Sequence, residues 1–297
     1  TASAKFQSED AGLVDFTGSE DEIYAGIREL VSMIPSNNED DMSYEECTDD
    51  LNRASEALEN AVGDPAVICS EIGDDHVFVE TKAAYAKEMA TGFIRLNGMT
   101  VGVVGNRTES YDEDGNVAEK YADVLTARGA RKAAKFVKFC DAFEIPVLTL
   151  TNLTGFKADT HSERCIATAA AELTYAFADA TVAKVNVITG KAFGSAYVTM
   201  NSKGLGADMV YAWPNAQIGM MDARSAAKIM YDGEDAAVIN EKAAEYAALQ
   251  SSALSAAKRG YVDTIIDAKD TRKYLIGAFE MLFTKREDRP GKKHGTV

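Results

Sequence analysis

Residues 184–197, Lys-Val-Asn-Val-Ile-Thr-Gly-Lys-Ala-Phe-Gly-Ser-Ala-Tyr, hold the chain's candidate chemistry. An apolar, β-branched run ends in Thr189-Gly190, and a basic residue, an aromatic and the small residues Gly194, Ser195 and Ala196 follow. That order predicts a buried strand turning sharply into a helix with uncovered backbone N–H groups at the turn. Such groups have no intrahelical acceptor and lie at the positive end of the helix dipole, so they can hold an anion or a developing oxyanion. The amides of Ser195 and Ala196 are the candidate catalytic pair, and one such donor is typically worth roughly 2.7–4 kcal/mol in the transition state. A tight turn whose small residues serve packing alone fits the same spacing equally well. A nucleophile elbow does not, because Phe193 and Tyr197 stand where Gly-x-Ser-x-Gly needs glycines. With only His76, His161 and His294 in the chain, a Ser–His–Asp arrangement is poorly supplied.

Two further features compete with bland alternatives. Thr154-Gly155-Phe156 follows the apolar run Pro146 to Thr151 and falls at a second strand end, where ligands of α/β sheets gather. A plain loop glycine fits there as well. Arg128, Arg131, Lys132 and Lys135 share one helical face in an acidic chain. That face reads as solvated surface, with a contact to phosphates or to an acidic partner as the alternative. The basic stretch from Lys285 to His294 reads as an exposed terminus.

The elements that must position these residues alternate. Residues 19–34 read as an amphipathic helix, with Ser19 as N-cap, Glu22 completing a capping box, Ile23, Ile27, Leu30 and Ile34 on one face, and Pro35 as the stop. Ser36 to Asp50 is acidic and reads as a surface linker. Strands are expected at Thr100–Gly105, Pro146–Thr151, Val185–Thr189, Met209–Ala212 and Gln217–Met221. Helices are expected between them. Ala127–Ala142 has a stripe of Ala130, Ala133, Ala134, Val137 and Cys140, and Cys165–Ala180 is Ala-rich. Asp222 caps a short helix bearing Ala226, Ala227 and Ile229, and one long helix runs from Ala236 to Lys258, stopped by Arg259-Gly260. Strands alternating with helices predict an α/β fold.

Composition sets outer bounds. A chain of 297 residues can bury a full core. Its formal charge of −16 argues against nucleic acid or an acidic membrane as partner, since either demands a basic face. A phosphorylated cofactor needs only a local basic cluster and stays open. No apolar run reaches the roughly 18 residues of a membrane span. Cys47, Cys69, Cys140 and Cys165 are far apart, which reads as reduced thiols in a cytoplasmic protein with no metal site. The chain begins at Thr1 without Met and reads as a fragment or a processed product.

Several stretches, in order, resemble the biotin-dependent carboxyltransferases that act on acyl-CoA, the family of propionyl-CoA carboxylase β subunits and methylmalonyl-CoA decarboxylase α subunits. They are Met89 to Asn106, Ala133 to Pro146, Tyr175-Ala176-Phe177-Ala178, Gly194 to Tyr197, Tyr211-Ala212-Trp213-Pro214 and Arg289-Pro290 to His294. The resemblance implies a crotonase-like β-β-α spiral and places this chain as the C-terminal half of a two-half enzyme. On that reading residues 1–17 end a preceding N-terminal half, 18–66 form a helical and acidic linker region, and 67–297 form the carboxyltransferase C-terminal domain. The resemblance further implies that biotin, on a separate carrier protein, exchanges CO₂ with an acyl-CoA, and that the Ser195 and Ala196 amides stabilise charge on the biotin ureido oxygen. A pocket of Gly155, Phe156, Gly194, Tyr197 and Val198 would hold biotin and substrate. An N-terminal half or second subunit would complete the site, with a homo-oligomer of two or more copies expected. Rival readings are a CoA hydratase or hydrolase of the crotonase type, with Glu163 or Asp222 as acid/base, and a non-catalytic assembly half.

The chain departs from the family at three places. Gly-Gly-Ala-Tyr-Asp becomes Gly194-Ser195-Ala196-Tyr197-Val198, which puts Val198 where an Asp helps set acyl specificity in propionyl-type enzymes. Pro-Gly-Phe becomes Thr154-Gly155-Phe156, and Gly-Gly-Ile-Ile-Arg-His-Gly becomes Arg164-Cys165-Ile166-Ala167-Thr168-Ala169-Ala170. The acyl group and the direction, carboxylase or decarboxylase, are therefore open.

Overall fold

A computed structural model describes residues 2–40, 43–112 and 115–288, so the Arg289-Pro290 to His294 segment lies outside the described residues. In chain order the elements are α1 (Glu20–Met33), α2 (Pro65–Ile72), β1 (Val79–Thr81), β2 (Met89–Leu96), β3 (Met99–Asn106), β4 (Glu109–Tyr111), β5 (Val117–Lys120), β6 (Val124–Leu125) and α3 (Ala127–Ala142). Then come β7 (Val147–Leu153), β8 (Gly155–Phe156), α4 (Thr160–Glu163), α5 (Ile166–Asp179), β9 (Lys184–Phe193), α6 (Gly194–Thr199), β10 (Met209–Ala212) and β11 (Gln217–Gly219). The chain closes with α7 (Ala223–Met230), α8 (Ala236–Tyr246), α9 (Ala253–Lys258), β12 (Thr264–Ile265) and α10 (Thr271–Leu282).

Strands β1-β2-β3-β7-β9-β10-β12 form the main sheet in that spatial order, with β11 joined to β9. The β1–β2 and β2–β3 pairs are antiparallel, and every pair from β3 onward is parallel. Strand side chains alternate between the two faces, and the apolar residues divide accordingly. Val101, Val103, Leu148, Leu150, Val185, Val187 and Tyr211 belong to one core with Ile68 and Ile72 of α2 and Leu275 and Phe279 of α10. Val104, Val147, Ile188, Val210 and Ala212 belong to the other, with α3 and α5. The expected α3 stripe of Ala130, Ala133, Ala134, Val137 and Cys140 is wholly buried. Its small residues allow a close approach, since a Cβ at Gly102 of β3 would sit 2.5 Å from the Cys140 sulfur.

The α/β expectation holds, and the differences have local causes. The hairpin β2–β3 brings a strand that the apolar-run reading passed over, turned by Asn97-Gly98 with φ of 52° and 77°. Two positive φ values at the centre of a two-residue loop are the type I′ hairpin turn. The Ser19–Glu22 capping box forms on α1, but Ile27 is exposed and the helix seats Ile23, Leu30 and Met33 instead. Ile229 is likewise exposed. The single helix expected over 236–258 is broken, because Ser252 leaves the helix to bridge Gln217 beside β11 and then caps α9 through its hydroxyl.

Residues 44–49 are held more firmly than a surface linker would be. Glu45 N–H donates to Gly98 O at 2.9 Å, Tyr44 bridges Met99, and Asp49 pairs with Arg53 at 2.8 Å. The basic face of α3 is built in only in part, with Arg128 and Lys135 exposed. Lys132 is buried and donates to Lys82 O and Tyr85 O, Arg131 pairs with Glu172, and Arg128 stacks over the Tyr85 ring. Lys285 is no free terminus either, donating to Val182 O and Asp208.

Candidate active site

β7 and β9 are parallel neighbours, so both deliver the chain to the same edge of the sheet, the edge where α/β folds collect ligands. Thr151 pairs with Ile188, but the next pair is Leu153 with Ala192. β9 therefore carries Thr189, Gly190 and Lys191 against the single residue Asn152. Beyond this bulge β9 takes up β11, with Lys191 opposite Gln217 and Phe193 opposite Gly219. At Gly194 the backbone enters α6 with a φ of 64°. Only glycine takes that conformation without penalty, and a Cβ there would lie 3.1 Å from Met220 O.

α6 spans six residues, and its N-cap residue Phe193 offers no side-chain acceptor. The N–H groups of its first turn, which includes Ser195 and Ala196, are uncovered by a side-chain cap. Ala196 is buried beneath the turn, while Ser195 faces outward. Gly194, Ser195, Tyr197 and Val198 line a cavity of about 620 Å³, walled opposite by Ile218, Gly219 and Met220 of the β11 region and by Gln250, Arg259 and Tyr261. The sequence thus brings Gly194, Ser195, Ala196, Tyr197 and Val198 together. Gly155 and Phe156 lie apart from this cavity: they form β8, pair with Val124 and Leu125 of β6, and pack against α6.

The polar side chains that line the cavity are the hydroxyls of Ser195, Tyr197, Ser202 and Tyr261, the Arg259 guanidinium and the Gln250 amide. Among the described residues the buried Tyr197 hydroxyl has no partner, and neither have the nearby Ser202 and Ser251 hydroxyls. Burial, with a smaller contribution from the charge of Tyr261, pushes the Tyr197 phenol up to about 12, so it stays neutral and can donate. A folded value above the ordinary 10 means that this group favours the folded state fully below pH 10 and progressively less as pH rises toward 12. No carboxylate or histidine is among the residues that line the cavity. Neither nominated acid/base carboxylate is among the described residues that line the cavity. Asp222 caps α7 by accepting from Arg224 N–H and Ser225 N–H, and the Ser225 side chain, ahead of these backbone groups, holds its carboxyl below the usual range. Glu163 is exposed on α4. Arg259 was legible only as part of a helix stop, and Tyr261 carried no signal. Gly260 between them has a φ of 80° and turns both toward the cavity wall.

Comparison with known proteins places this geometry. The family model of the carboxyl transferase domain matches residues 3–297. The chain is 38% identical over 286 residues to the propionyl-CoA carboxylase beta chain of Roseobacter denitrificans, covering 93% of this chain and 54% of that protein. It is 35% identical over 297 residues to the methylmalonyl-CoA decarboxylase subunit alpha of Veillonella parvula, covering 97% and 56%. Among solved structures, a transcarboxylase 12S hexamer with hydrolysed methylmalonyl-coenzyme A bound superposes with a TM-score of 0.89 at 34% identity, over 99% of this chain and 57% of that one. The chain therefore spans little more than half the length of the relatives it matches.

Proposed function

The chain belongs to the carboxyl transferase domain family, and on that premise we propose that it is the C-terminal half of a carboxyltransferase moving CO₂ between biotin and an acyl-CoA of the methylmalonyl-CoA or propionyl-CoA type. Residues 1–17 would close the preceding half, 18–66 link the two, and 67–297 form the C-terminal domain. The observation that carries the reading is the first turn of α6, uncapped by any side chain and set beside a cavity that presents donors and hydroxyls but no carboxylate. Such a site suits negative charge that develops during reaction and offers no side-chain acid or base.

The cavity fits a ligand with a polar head, because the Tyr197 and Ser202 hydroxyls at its wall lack protein partners. Biotin, arriving on a separate carrier protein, would supply the transferable carboxyl group. The Ser195 and Ala196 amides would hold the charge on its ureido oxygen, with Gly194 fixing their direction and Tyr197 donating alongside. Val198, exposed on α6 next to Ser195, would contribute to acyl selection. Gly155 and Phe156 would act from beneath α6. An N-terminal half or second subunit would hold the acyl-CoA, in a homo-oligomer comparable to the hexamer of the transcarboxylase relative.

The reading is tested by malonyl-CoA and methylmalonyl-CoA decarboxylation with free biotin, on this chain mixed with its N-terminal half. Biotin-dependent turnover in the mixture, and in neither part alone, is the expected result. A folded complex without turnover on either substrate would leave the non-catalytic assembly role. Tyr197→Phe gives a finer check. It removes a buried hydroxyl that has no partner, so the melting temperature should hold or rise. Biotin binding should weaken roughly 3- to 10-fold, the worth of one hydrogen bond. Unchanged binding would place the hydroxyl out of the ligand's reach.

A further inference from the structure

We propose that Asn152 is a positioning residue for the α6 amides, acting through the bulge of β9; the inference rests on the oxyanion role of those amides. Where the β7–β9 ladder breaks, Asn152 alone faces Thr189, Gly190 and Lys191. Backbone pairing cannot follow three residues with one, and a side-chain amide takes its place. Asn152 Oδ1 accepts the Lys191 N–H at 3.0 Å, and its Nδ2 donates to Val62 O at 3.3 Å. Its own backbone is gripped from the other side. Asn152 N–H donates to Asn106 Oδ1 at 2.7 Å, and Asn106 Nδ2 donates back to Asn152 O. Both asparagines are buried, at 8% and 4% exposure.

The clamp leaves no slack. A Cβ on Gly190 would stand 2.5 Å from Asn152 Oδ1 and 3.0 Å from Val62 Cγ1. The bulge therefore has one trajectory, set by the amide of Asn152, and four residues after Lys191 that trajectory ends at Ser195. Buried polar groups with two partners each are costly to misplace, so the clamp fixes a direction as well as a contact. Asn152 is not among the residues that line the cavity beside α6; with Thr189, Gly190 and Lys191 it lines a separate one of about 560 Å³. Its effect must pass through Lys191 to Gly194.

The experiment uses the enzyme assembled from both halves, with kcat, the KM for acyl-CoA and the melting temperature measured for Asn152→Ala, Asn152→Asp and Ala196→Pro. Asn152→Ala should lower kcat roughly 10- to 100-fold, the scale of a sub-ångström to 1 Å misplacement, with the acyl-CoA KM unchanged because that ligand is held by the other half. Asn152→Asp retains the oxygen that accepts from Lys191 and should recover most of the rate. Gly190→Ala presses on the same amide from the opposite side, and should reproduce the loss in kcat even if Asn152→Ala fails to fold. Folded Asn152 and Gly190 variants with wild-type kcat, beside a crippled Ala196→Pro, would overturn the positioning role alone. An active Ala196→Pro would overturn the oxyanion reading and this inference with it. Loss of kcat and KM together, with Asp no better than Ala, would reduce Asn152 to a stabilising residue.

Discussion

Ala196→Pro, in the enzyme assembled with its N-terminal half, should lower biotin-dependent carboxyl transfer roughly 10²- to 10³-fold, the cost of one oxyanion donor. Proline removes the N–H, and it also disfavours the helical backbone of Ser195 and adds ring atoms at a buried position. Position 196 is the third residue of α6, inside the first turn, where no intrahelical bond is lost. Ala196 is 1% exposed, so packing is the competing explanation for any loss. Ala196→Gly separates the two. It retains the amide while deleting the buried methyl, and it should stay within about threefold of wild type in kcat. Equal losses in the glycine and proline variants would assign the effect to packing and remove the amide from the mechanism. The acyl-CoA KM should not move in either variant, since the interaction is made in the transition state.

How much of this was legible beforehand depended on whether the signal was local. The β9-to-α6 turn was readable because its elements are adjacent in sequence: a β-branched run, then Gly194-Ser195-Ala196 where a left-handed φ and a close backbone approach are needed. The α3 stripe was readable for the same reason. Asn97-Gly98 was an equally local hairpin signal between two mostly apolar runs, and it would have pointed to β2 beside β3. Other features depend on contacts between distant segments. The break at Ser252 is imposed by Gln217, and the burial of Lys132 by the carbonyls of Lys82 and Tyr85. No periodicity within a helix contains that information. At the site, Ser195 was found by pattern and Val198 through the family resemblance, whereas Arg259 and Tyr261 reach the same cavity from a segment some sixty residues on. Gly155 and Phe156 show the limit of adjacency, since a strand end brings them against α6 but outside that cavity.

Arg272→Ala should destabilise the fold by about 3–5 kcal/mol, the cost of breaking a buried ion pair, and lower the melting temperature on the order of 10 °C. The side chain is 1% exposed on α10, and it joins four segments. It donates to Ile72 O at the end of α2 and to Asp50 O in segment 36–50, and its Nη2 lies 2.7 Å from Asp74 and 3.4 Å from Asp49. Asp74 in turn accepts from Asn97 N–H and Gly98 N–H at the β2–β3 turn. Alanine would strand Asp74, itself 6% exposed, with its charge uncompensated. Most of the loss is therefore the remaining carboxylate and not the vanished attraction, and that distinction is measurable. Arg272→Met combined with Asp74→Asn removes both charges while keeping an oxygen for the Gly98 amide, so it should recover more than half of the lost stability. Acid should act in the same direction. Burial raises the Asp49 carboxyl, but the Arg53 hydrogen bonds and the charges of Arg272 and Arg53 outweigh it and leave the group below its usual range. A depressed carboxylate favours the folded state above its ordinary value of 3.8 and loses that contribution as pH falls below it. Wild type should therefore lose part of its advantage over Arg272→Ala as the pH falls below about 4. A gap that stays constant through that range would show that Arg272 acts through packing alone.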